Sequence, residues 1–343
     1  MDDDDRMAAD ARYRALEAWL AATGRAPGAV VTPASEDASF RRYFRATTAG
    51  QSFIVMDAPP AREDSRPFVA VAAMLDDMGV NAPRVLAADL AQGFLLLTDL
   101  GTDVYLDRLE SSPGDVAGLY DAALATLSRM QDRGAAFQST LPPYDADLLQ
   151  AEMSLFRDWL CGIHLELRFS ATEELEWRNL CTALIRNALD QPQVFVHRDY
   201  HSRNLMVTPH DSPGVLDFQD AVEGPLTYDL VSLLKDCYFT LPPDEVLARV
   251  DAFRRGLPAA RRAGIGQDLF RRFFELMGVQ RHLKAAGIFA RLYHRDGKSR
   301  YLADIPRTLG YVTELAHRYP ELHFLAGLLD ARVLPMLAER RPD

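Results

Sequence analysis

Two short apolar runs separated by a polar loop lie near the middle of the chain, and they constrain its fold more than any other feature. The first run ends at Val196 and the second begins at Leu205. A third apolar pair, at 215–216, follows a segment of Pro, Gly, Ser, His and Asp residues that is typical of a turn. This pattern predicts a hairpin in which strands at 205–207 and 215–216 run side by side.

Polar side chains lie where these runs end. Asp199 is in the loop, Asn204 directly precedes the second run, and Asp217 directly follows the third. Because a hairpin returns the chain to the end from which it left, Asp217 is expected close to Asn204, with Asp199 nearby. A carboxylate can orient a hydroxyl group, while amide and carboxylate oxygens suit a hard cation. The segment therefore indicates a site that handles a hydroxyl group beside a metal ion.

Two other interpretations compete with this one. An Asp-rich loop between two strands is often only a solvated turn. Alternatively, His197, Asp199 and His201 could form a transition-metal cluster, although no further His or Cys group completes such a site at the usual spacing. The agreement between residue types, spacing and strand context favours the catalytic interpretation.

The segment resembles a known family. The residues that carry the resemblance to the catalytic set of the protein-kinase-like fold are His197, Arg198, Asp199, Asn204 and Asp217. The continuation Phe218-Gln219-Asp220 is similar to the aminoglycoside phosphotransferase branch of small-molecule kinases. The resemblance implies an α+β, two-lobed protein-kinase-like fold, with a small antiparallel sheet in the N-lobe and a mostly helical C-lobe.

The resemblance also implies roles for single residues. Asp199 would orient the acceptor hydroxyl and take up its proton late, while Asn204 and Asp217 would hold Mg²⁺ against the phosphates of ATP. Asp229 is similar to the family's structural aspartate, which implies that it braces the backbone of the catalytic loop; an ordinary helix cap is the alternative. A protein kinase is disfavoured, because no Ala-Pro-Glu segment follows Asp217 and the next predicted helix already begins at Leu226.

Length and composition fit this interpretation. A chain of 343 residues with 48% hydrophobic and 25% charged residues suits two lobes of one enzyme. Its net charge of −11 argues against sequence-independent binding of nucleic acid. Cys161, Cys181 and Cys237 are scattered, which fits a reducing cytosol, and no signal peptide or membrane-spanning run is recognisable. We therefore expect a cytoplasmic monomer that binds neither nucleic acid nor membrane.

The chain is expected to divide near Gly101. Residues 1–6 resemble a tag, residues 7–101 would form the N-lobe with the nucleotide-binding sheet and hinge, and residues 102–343 the C-lobe with the catalytic loop and substrate site. The N-lobe pattern predicts helices at 12–23 and 67–78, and strands within 36–57, at 84–89 and at 94–98. Helices are predicted in the C-lobe at 116–131, 147–161, 172–189, 226–238, 244–255, 267–293, 305–318 and 321–339.

The nucleotide side departs from the kinase pattern. Met56 stands where protein kinases carry a phosphate-binding lysine, and the helix at 67–78 has no glutamate to match such a lysine. The loop after the first strand also lacks the usual glycines. We expect Ser39 and one of two arginines, Arg42 or Arg45, to replace the missing contacts, with solvated arginines as the alternative. Backbone groups between Asp99 and Gly101 are expected to bind adenine.

Candidates for acceptor binding lie in three places. Tyr200, His201 and Arg203 belong to the catalytic loop, and Asp220 and Glu223 follow the metal aspartate. Three basic residues share one stripe of the long helix at 267–293, namely Arg281, Lys284 and Arg291. A basic stripe in an acidic protein suggests an anionic group on the substrate, although a solvated or salt-bridged face is an equal alternative.

Several stretches resemble one subfamily over nearly the full chain. They are Ala38-Ser39-Phe40-Arg41-Arg42-Tyr43-Phe44-Arg45, Val55-Met56-Asp57-Ala58-Pro59-Pro60, Phe94-Leu95-Leu96-Leu97-Thr98-Asp99-Leu100-Gly101, Gln280-Arg281-His282-Leu283-Lys284 and Gly287-Ile288-Phe289-Ala290-Arg291. The subfamily is that of the bacterial anomeric kinases of N-acetylmuramate and N-acetylglucosamine in cell-wall recycling. The resemblance implies ATP-dependent phosphorylation of the anomeric hydroxyl of an amino sugar, and the lactyl carboxylate of N-acetylmuramate would give Arg281 or Lys284 a partner.

Two rival functions remain open. The nearer one is another small-molecule kinase, with an aminoglycoside, choline or a homoserine-like compound as its substrate. The more distant one is a non-catalytic nucleotide-binding module, which the missing lysine suggests. The presence of Asp199 together with Asn204 and Asp217 favours an enzyme, because a binding module has no need of a carboxylate that orients a hydroxyl.

Overall fold

The computed structural model describes residues 11–36 and 40–340, which form two compact units. The first unit contains the described residues up to Asp103 together with Met206–Asp220. The second contains Val104–Leu205 and the described residues from Ala221 onward. The catalytic segment predicted from the sequence therefore contributes residues to both units. No helix in the described ranges has the length and apolar character needed to cross a membrane.

The first unit is built on a five-stranded antiparallel sheet with the strand order β1-β2-β3-β5-β4. The strands are β1 (Val30–Glu36), β2 (Arg42–Thr47), β3 (Ser52–Asp57), β4 (Val85–Asp89) and β5 (Phe94–Thr98). Helix α1 (Ala11–Thr23) precedes the sheet, and helix α2 (Arg66–Asp77) lies between β3 and β4 in the chain. Helix α2 has a proline in its first turn, where the missing N–H costs no hydrogen bond.

Helix α1 covers one face of this sheet. Its buried residues, among them Leu16, form one apolar cluster with Phe44, Val55 and Leu96 from the central strands. Because side chains alternate along a strand, the residues between these point to the opposite face. That second face carries Tyr43, Arg45, Ile54, Met56, Leu95 and Leu97, which lie opposite one another in the strand register.

The second unit is mostly helical. Its longer helices are α3 (Tyr105–Ser111), α4 (Val116–Gly134), α5 (Ala146–Leu155), α6 (Ala171–Leu189), α7 (Tyr228–Leu234), α8 (Pro243–Gly256), α10 (Gln267–Asp296) and α11 (Ile305–Ala316). The shorter ones are α9 (Ala259–Arg262), α12 (His323–Leu328) and α13 (Leu334–Glu339). Strand β6 (Gln193–Val196) pairs antiparallel with β9 (Val222–Pro225), which gives the helical unit a small sheet of its own.

Helix α10 is the central element of this unit and is buried along most of its 30 residues. It crosses the backbone that follows α5 very closely at Gly287. A methyl group on Gly287 would lie 2.2 Å from the carbonyl carbon of Leu155, so only glycine fits this crossing. The chain there continues from α5 into a wide helical segment, Phe156–His164, which places Phe156 and Leu160 in the core.

Most predicted elements are present, with differences at their ends. The strands at 94–98 and the long helix are found, and the predicted hairpin exists as β7 (Leu205–Met206) paired with β8 (Gly214–Val215). The helix predicted over 321–339 is present as one continuous helical run in which α12 passes through a wide helical segment, Leu329–Val333, into α13. The helix predicted at 226–238 is shorter and spans only Tyr228–Leu234, while α3 and β9 were not predicted.

Candidate active site

The loop that carries Asp199 leaves a buried strand and ends in a tight turn. The three residues before it in β6, Val194, Phe195 and Val196, are all fully buried. At the far end of the loop, the turn Ser202–Asn204 leads directly into β7. The apolar strand therefore fixes where the loop begins, and the two-stranded β7–β8 pair fixes where it ends.

Asp229 holds the first part of this loop by its backbone. Its carboxylate accepts hydrogen bonds from the backbone N–H of His197 at 2.7 Å and of Arg198 at 3.0 Å. Arg198 has a positive φ of 77°, a conformation that is uncommon for residues other than glycine and that these bonds help to maintain. The prediction that Asp229 braces the loop is thereby confirmed. Complete burial raises the pKa of Asp229 to about 7 against the lowering effect of the two bonds.

A second carboxylate braces the other end of the loop, and the sequence analysis missed it. Asp236 is buried and accepts hydrogen bonds from the backbone N–H of Ser202 and of Tyr238, each at 2.9 Å. It lies just after α7, seven residues beyond Asp229. The signal in the sequence was the charged pair Lys235-Asp236 between Leu234 and Cys237, since a charged residue beside apolar ones is unusual in a core unless it has partners.

Asp199 lies between these two braces. Its backbone N–H donates to Nδ1 of His197 at 3.2 Å, and its carbonyl accepts from the Nδ2 atom of Asn204 at 3.0 Å. Burial alone would raise the pKa of the Asp199 carboxyl, but the neighbouring charges of Lys284, His201 and His197 lower it below its usual range. The carboxylate is therefore ionised and available to accept a hydrogen bond from a hydroxyl group.

Glu152 on α5 connects the loop to the long helix through four buried contacts. Its Oε1 atom receives Nη2 of Arg198 at 2.6 Å and Nζ of Lys284 at 2.9 Å. Its Oε2 atom accepts hydrogen bonds from the hydroxyl of Tyr144 and from Nε2 of Gln280, the latter at 3.1 Å. One carboxylate thus neutralises two buried cations, and it ties α5, the catalytic loop and α10 together.

The basic stripe predicted on the long helix is largely buried. Lys284 is paired with Glu152 and also donates to the hydroxyl of Tyr228 at 3.0 Å, so the salt-bridged alternative is confirmed for this residue. Arg281 is 5% exposed, and its Nη1 atom lies 3.7 Å from Sγ of Cys237. Neither cation has the solvent exposure expected for the primary contact of a sugar substituent.

The other candidates of the loop have different surroundings. Tyr200 is fully buried and donates its hydroxyl to the carbonyl of Ala123 at 2.9 Å, so it has a packing role and leaves the set of acceptor candidates. The ring of His201 lies edge-on to Tyr238 at 5.3 Å. Arg203 is half-buried and stacks on the same ring, with its guanidinium carbon 3.8 Å from the ring centre.

The segment around Asp217 belongs to the first unit. Asp217 has a positive φ of 60°, and its Oδ1 atom accepts a hydrogen bond from Nε2 of Gln219 at 2.8 Å. The ring of Phe218 is fully buried and packs against Phe68 of α2, 4.8 Å between ring centres. Asp220 is exposed. The left-handed backbone at Asp217 is thus followed directly by a side chain, that of Phe218, which lies in the core of this unit.

Glu223, the remaining acidic candidate, lies in β9 of the helical unit. Its carboxylate accepts from Nε2 of Gln138 at 2.9 Å, and its backbone pairs with Phe195 in β6. The residue is half-buried. This position makes Glu223 part of the small β6–β9 sheet as well as an acidic group close in sequence to Asp217.

The two arginine candidates of the sheet lie on opposite faces. Arg45 donates from Nε to Asp99 at 2.7 Å and from Nη2 to the carbonyl of Gly101 at 2.8 Å, which ties β2 to the predicted hinge. Arg42 lies on the face covered by α1 and forms an ion pair with the buried carboxylate of Asp57 at 2.5 Å. Ser39 lies outside the described residues.

The transition-metal interpretation gains no support. Within the described residues, no group of three or more His, Cys, Asp or Glu side chains is arranged to bind a metal ion together. In particular, the side chains of His197 and His201 each have ring contacts of their own, with Tyr200 and Tyr238. The polar groups of the loop are therefore arranged around backbone bracing and not around a His cluster.

Curated proteins similar to this chain are sugar kinases by name. The N-acetylmuramate/N-acetylglucosamine kinase of Pseudomonas aeruginosa is 47% identical to it, over 97% of this chain and 100% of that protein. A kinase of the same name from Neisseria meningitidis is 42% identical, over 92% of this chain and 94% of that protein. Both similarities extend over both units of the chain.

Solved structures support the fold. A choline kinase from Cryptosporidium parvum matches with a TM-score of 0.61 at 11% identity, over 88% of this chain and 96% of that one. The GDP complex of aminoglycoside 2′-phosphotransferase-IIIa matches with a TM-score of 0.59 at 14% identity, over 90% of this chain and 100% of that one. The prediction of an α+β, two-lobed protein-kinase-like fold is confirmed.

The predicted class of enzyme is confirmed as well. A phosphotransferase of this fold takes its phosphoryl group from a nucleotide. Residues 30–263 match the phosphotransferase enzyme family, and it is to this family that the chain belongs.

Proposed function

We propose that the protein is an ATP-dependent kinase that phosphorylates the anomeric hydroxyl of N-acetylmuramate and N-acetylglucosamine in cell-wall recycling. The observation that carries the choice of substrate is the 47% identity, over nearly the whole length, to a kinase named for these two sugars. The braced loop around Asp199 supports the choice of reaction, since transfer to a hydroxyl needs a carboxylate held in one position.

Asp199 is the residue that receives the acceptor. Its carboxylate accepts a hydrogen bond from the anomeric hydroxyl, aims the oxygen at the terminal phosphorus, and takes the proton as the new bond forms. The lowered pKa supports this role, because an ionised carboxylate is present at neutral pH. Asp229 and Asp236 act indirectly, by holding the backbone on either side of Asp199.

Asn204 and Asp217 are the residues we assign to Mg²⁺. Both offer hard oxygen ligands, which this ion prefers. The Nδ2 atom of Asn204 is already engaged by the carbonyl of Asp199, so Oδ1 is the atom suited to the metal. The pairing of β7 with β8 supports their cooperation, because Asn204 directly precedes the first strand and Asp217 follows the second by two residues. Bound Mg²⁺ would neutralise charge on the phosphates during transfer.

The nucleotide is assigned to the sheet face opposite α1. The α1 face is filled by an apolar cluster, while the other face carries Arg45 and ends at the hinge, Asp99–Gly101. Adenine would bind the hinge backbone, and Ser39 remains a proposed phosphate contact. Met56, at the position where protein kinases carry a lysine, is fully buried in the sheet. This supports the view that this strand position supplies no cation to the phosphates.

His201, Arg203, Asp220 and Glu223 remain our candidates for contacts with the sugar. We propose that Lys284 and Arg281 support the sugar site indirectly, since the charges of both lower the pKa of Asp199. We further propose a cytoplasmic monomer. The three cysteines support a reducing compartment, because each is buried and unpaired with another cysteine.

A coupled assay of ADP release across a panel of acceptors tests the function. The panel contains N-acetylmuramate, N-acetylglucosamine, choline, homoserine and an aminoglycoside, each at the same concentration. We expect turnover with the two N-acetylated sugars and none above the ATPase background with the amines. Turnover with an amine alone would move the assignment to the neighbouring small-molecule kinases, and no turnover with any acceptor would favour a binding module.

A further inference from the structure

Arg203 lies in the turn Ser202–Asn204, directly before the proposed metal ligand Asn204. Its guanidinium carbon is 3.8 Å from the centre of the Tyr238 ring and 5.7 Å from that of Tyr301. The ring of Tyr301 is in turn stacked on Phe289 at 5.7 Å. The arginine is thus held by aromatic faces of the second unit, four residues after Asp199 in the same braced loop.

The charge of Arg203 has no carboxylate partner among the described residues. None of the described carboxylates forms an ion pair with it, and its described contacts are with the two tyrosine rings. One described carboxyl that feels this charge is that of Asp304, whose pKa is raised by burial despite the opposing charges of Arg203 and Arg307. The ion pair of Asp304, however, is formed with Arg307, at 3.7 Å.

Two other cations, Lys284 and Arg281, act on Asp199 through their charge, and each has a partner of its own. Lys284 forms an ion pair with Glu152, and Arg281 is buried with its guanidinium against the sulfur of Cys237. A ring-stacked arginine uses the faces of its guanidinium plane and keeps the N–H groups at its edge for a planar, two-pronged acceptor such as a carboxylate. Among these three cations, Arg203 is therefore the one whose position and exposure suit an anionic substituent of a bound ligand.

The turn that carries Arg203 is also fixed before any ligand binds. Asp236 accepts the backbone N–H of Ser202 and that of Tyr238, so one buried carboxylate positions both the arginine and the ring under it. A preorganised cation loses little conformational freedom on binding, which makes it an effective determinant of specificity.

We propose that Arg203, stacked on Tyr238, binds the lactyl carboxylate of N-acetylmuramate and sets the preference for this sugar over N-acetylglucosamine. The proposal rests on the proposed function and deepens it. It replaces Lys284 and Arg281 as the partner of the carboxylate with a residue of the catalytic loop.

The test compares kcat/KM for N-acetylmuramate, its methyl ester and N-acetylglucosamine in the wild type and in Arg203→Met and Arg203→Lys. Methionine keeps apolar contact with Tyr238 but removes the charge. We expect Arg203→Met to lower the ratio of N-acetylmuramate to N-acetylglucosamine activity by roughly 10- to 100-fold, the effect of losing a charge-assisted hydrogen-bond pair. The variant should also lose the preference for the acid over its methyl ester, and Arg203→Lys should recover part of it.

Two further variants serve as matched controls. Arg300→Ala removes a cation 5.0 Å from the same Tyr301 ring and should leave the sugar ratio unchanged. Arg291→Ala removes the outer residue of the basic stripe. An unchanged ratio in Arg203→Met, or a loss of preference in Arg291→Ala instead, would overturn the proposal. If the wild type phosphorylates neither sugar, the proposed function itself has failed, so the two failures are distinguishable. Thermal unfolding of each variant checks that it is folded.

Discussion

The catalytic loop and the nucleotide sheet differ in how they position their charged groups. In the loop, backbone N–H groups donate hydrogen bonds to the buried carboxylates of Asp229 and Asp236. Glu152 neutralises the cations of Arg198 and Lys284. In the sheet, the charged groups are arginines within the regular strand β2, and each is paired with an aspartate, as Arg45 is with Asp99. In the loop, side-chain carboxylates accept the backbone hydrogen bonds that strands or helices would otherwise satisfy. In the sheet, pairing between strands satisfies them.

This difference explains where the kinase pattern is kept and where it is lost. A loop with irregular backbone depends on particular residue types at particular positions, because each unpaired N–H must find an acceptor. A sheet keeps its shape with many sequences, so phosphate contacts can be supplied by different residues without loss of the fold. The catalytic set is consequently recognisable here, while the strand lysine is replaced by Met56.

The largest effect is expected at Asp199. The variant Asp199→Asn keeps the size of the side chain but cannot accept the proton of the hydroxyl. We expect kcat to fall by roughly 10²- to 10⁴-fold, with ATP binding retained. Steady-state ADP release and titration with ATP measure the two properties separately. A variant with near wild-type kcat would show that the loop does not carry the chemistry.

The next effect is expected at Glu152, which separates bracing from chemistry. In Glu152→Gln, the cations of Arg198 and Lys284 lose their carboxylate in a buried position. Removal of one partner from such a cluster costs roughly 3–5 kcal/mol of unfolding free energy, and kcat should fall with little change in KM for ATP. Urea unfolding and initial rates measure these changes.

The control for Glu152 is Glu174→Gln, in which a partly exposed ion pair with Arg157 is lost. Exposed pairs contribute roughly 0–1 kcal/mol, so this variant should unfold almost as the wild type does. Near neutral pH the contribution of Glu152 is complete. It is lost as pH falls through the folded-state pKa, which the two cations hold below the ordinary value of 4.5 despite burial. Equal losses in the two variants would contradict the special role of the buried cluster.

A smaller effect is expected from the arginines of the sheet. Arg45→Ala removes the link between β2 and the hinge, and we expect KM for ATP to rise by roughly 10-fold, the effect of a lost charge-assisted contact. Arg42→Ala is the matched control, because Arg42 lies on the face covered by α1. An unchanged ATP dependence in both variants would end the assignment of an arginine to the nucleotide side.

The smallest effect concerns the pH dependence of stability. His282 is buried and donates from Nε2 to the carbonyl of Lys235 at 2.8 Å, and burial together with Arg281 lowers its pKa to about 3. Unfolded chains bind a proton at this histidine below about 6.5, so its contribution to stability decreases as pH falls from there toward 3. Between pH 7 and 5 the wild type should lose about 2 kcal/mol more than His282→Gln, measured by urea unfolding.

Much of the catalytic segment could be predicted because its determinants are local in sequence. The hairpin followed from apolar pairs and turn residues, and the brace by Asp229 followed from a family resemblance. The cluster around Glu152 could not be predicted, since it joins residues that are far apart in the sequence. The brace by Asp236 reaches a backbone N–H group 34 residues earlier, and local spacing does not reveal that partner. Lys284 is an example. Helical spacing placed it on one stripe with Arg281, but it could not reveal that the carboxylate of Glu152 on α5 lies beside it.

The ends of elements were predictable only where local signals are strong. The long helix ends at Gly297 in a left-handed conformation, close to the predicted end. In contrast, the last predicted helix widens at Leu329–Val333 into a wider helical turn, for which the apolar period gives no sign. The short strand β9 was missed for a similar reason, since its four residues include Gly224 and Pro225 and form a strand only through pairing with β6.

The position of the phosphate on phosphorylated N-acetylmuramate decides whether the enzyme acts on the anomeric hydroxyl. The wild-type enzyme is incubated with ATP, Mg²⁺ and the sugar, and the product is examined by phosphorus–proton correlation in NMR. Phosphorylation of the anomeric hydroxyl predicts coupling of the phosphorus to the proton on the anomeric carbon, with the pattern of the α-1-phosphate. A phosphate on any other oxygen of the sugar, or the absence of product while an amine is phosphorylated, would contradict it.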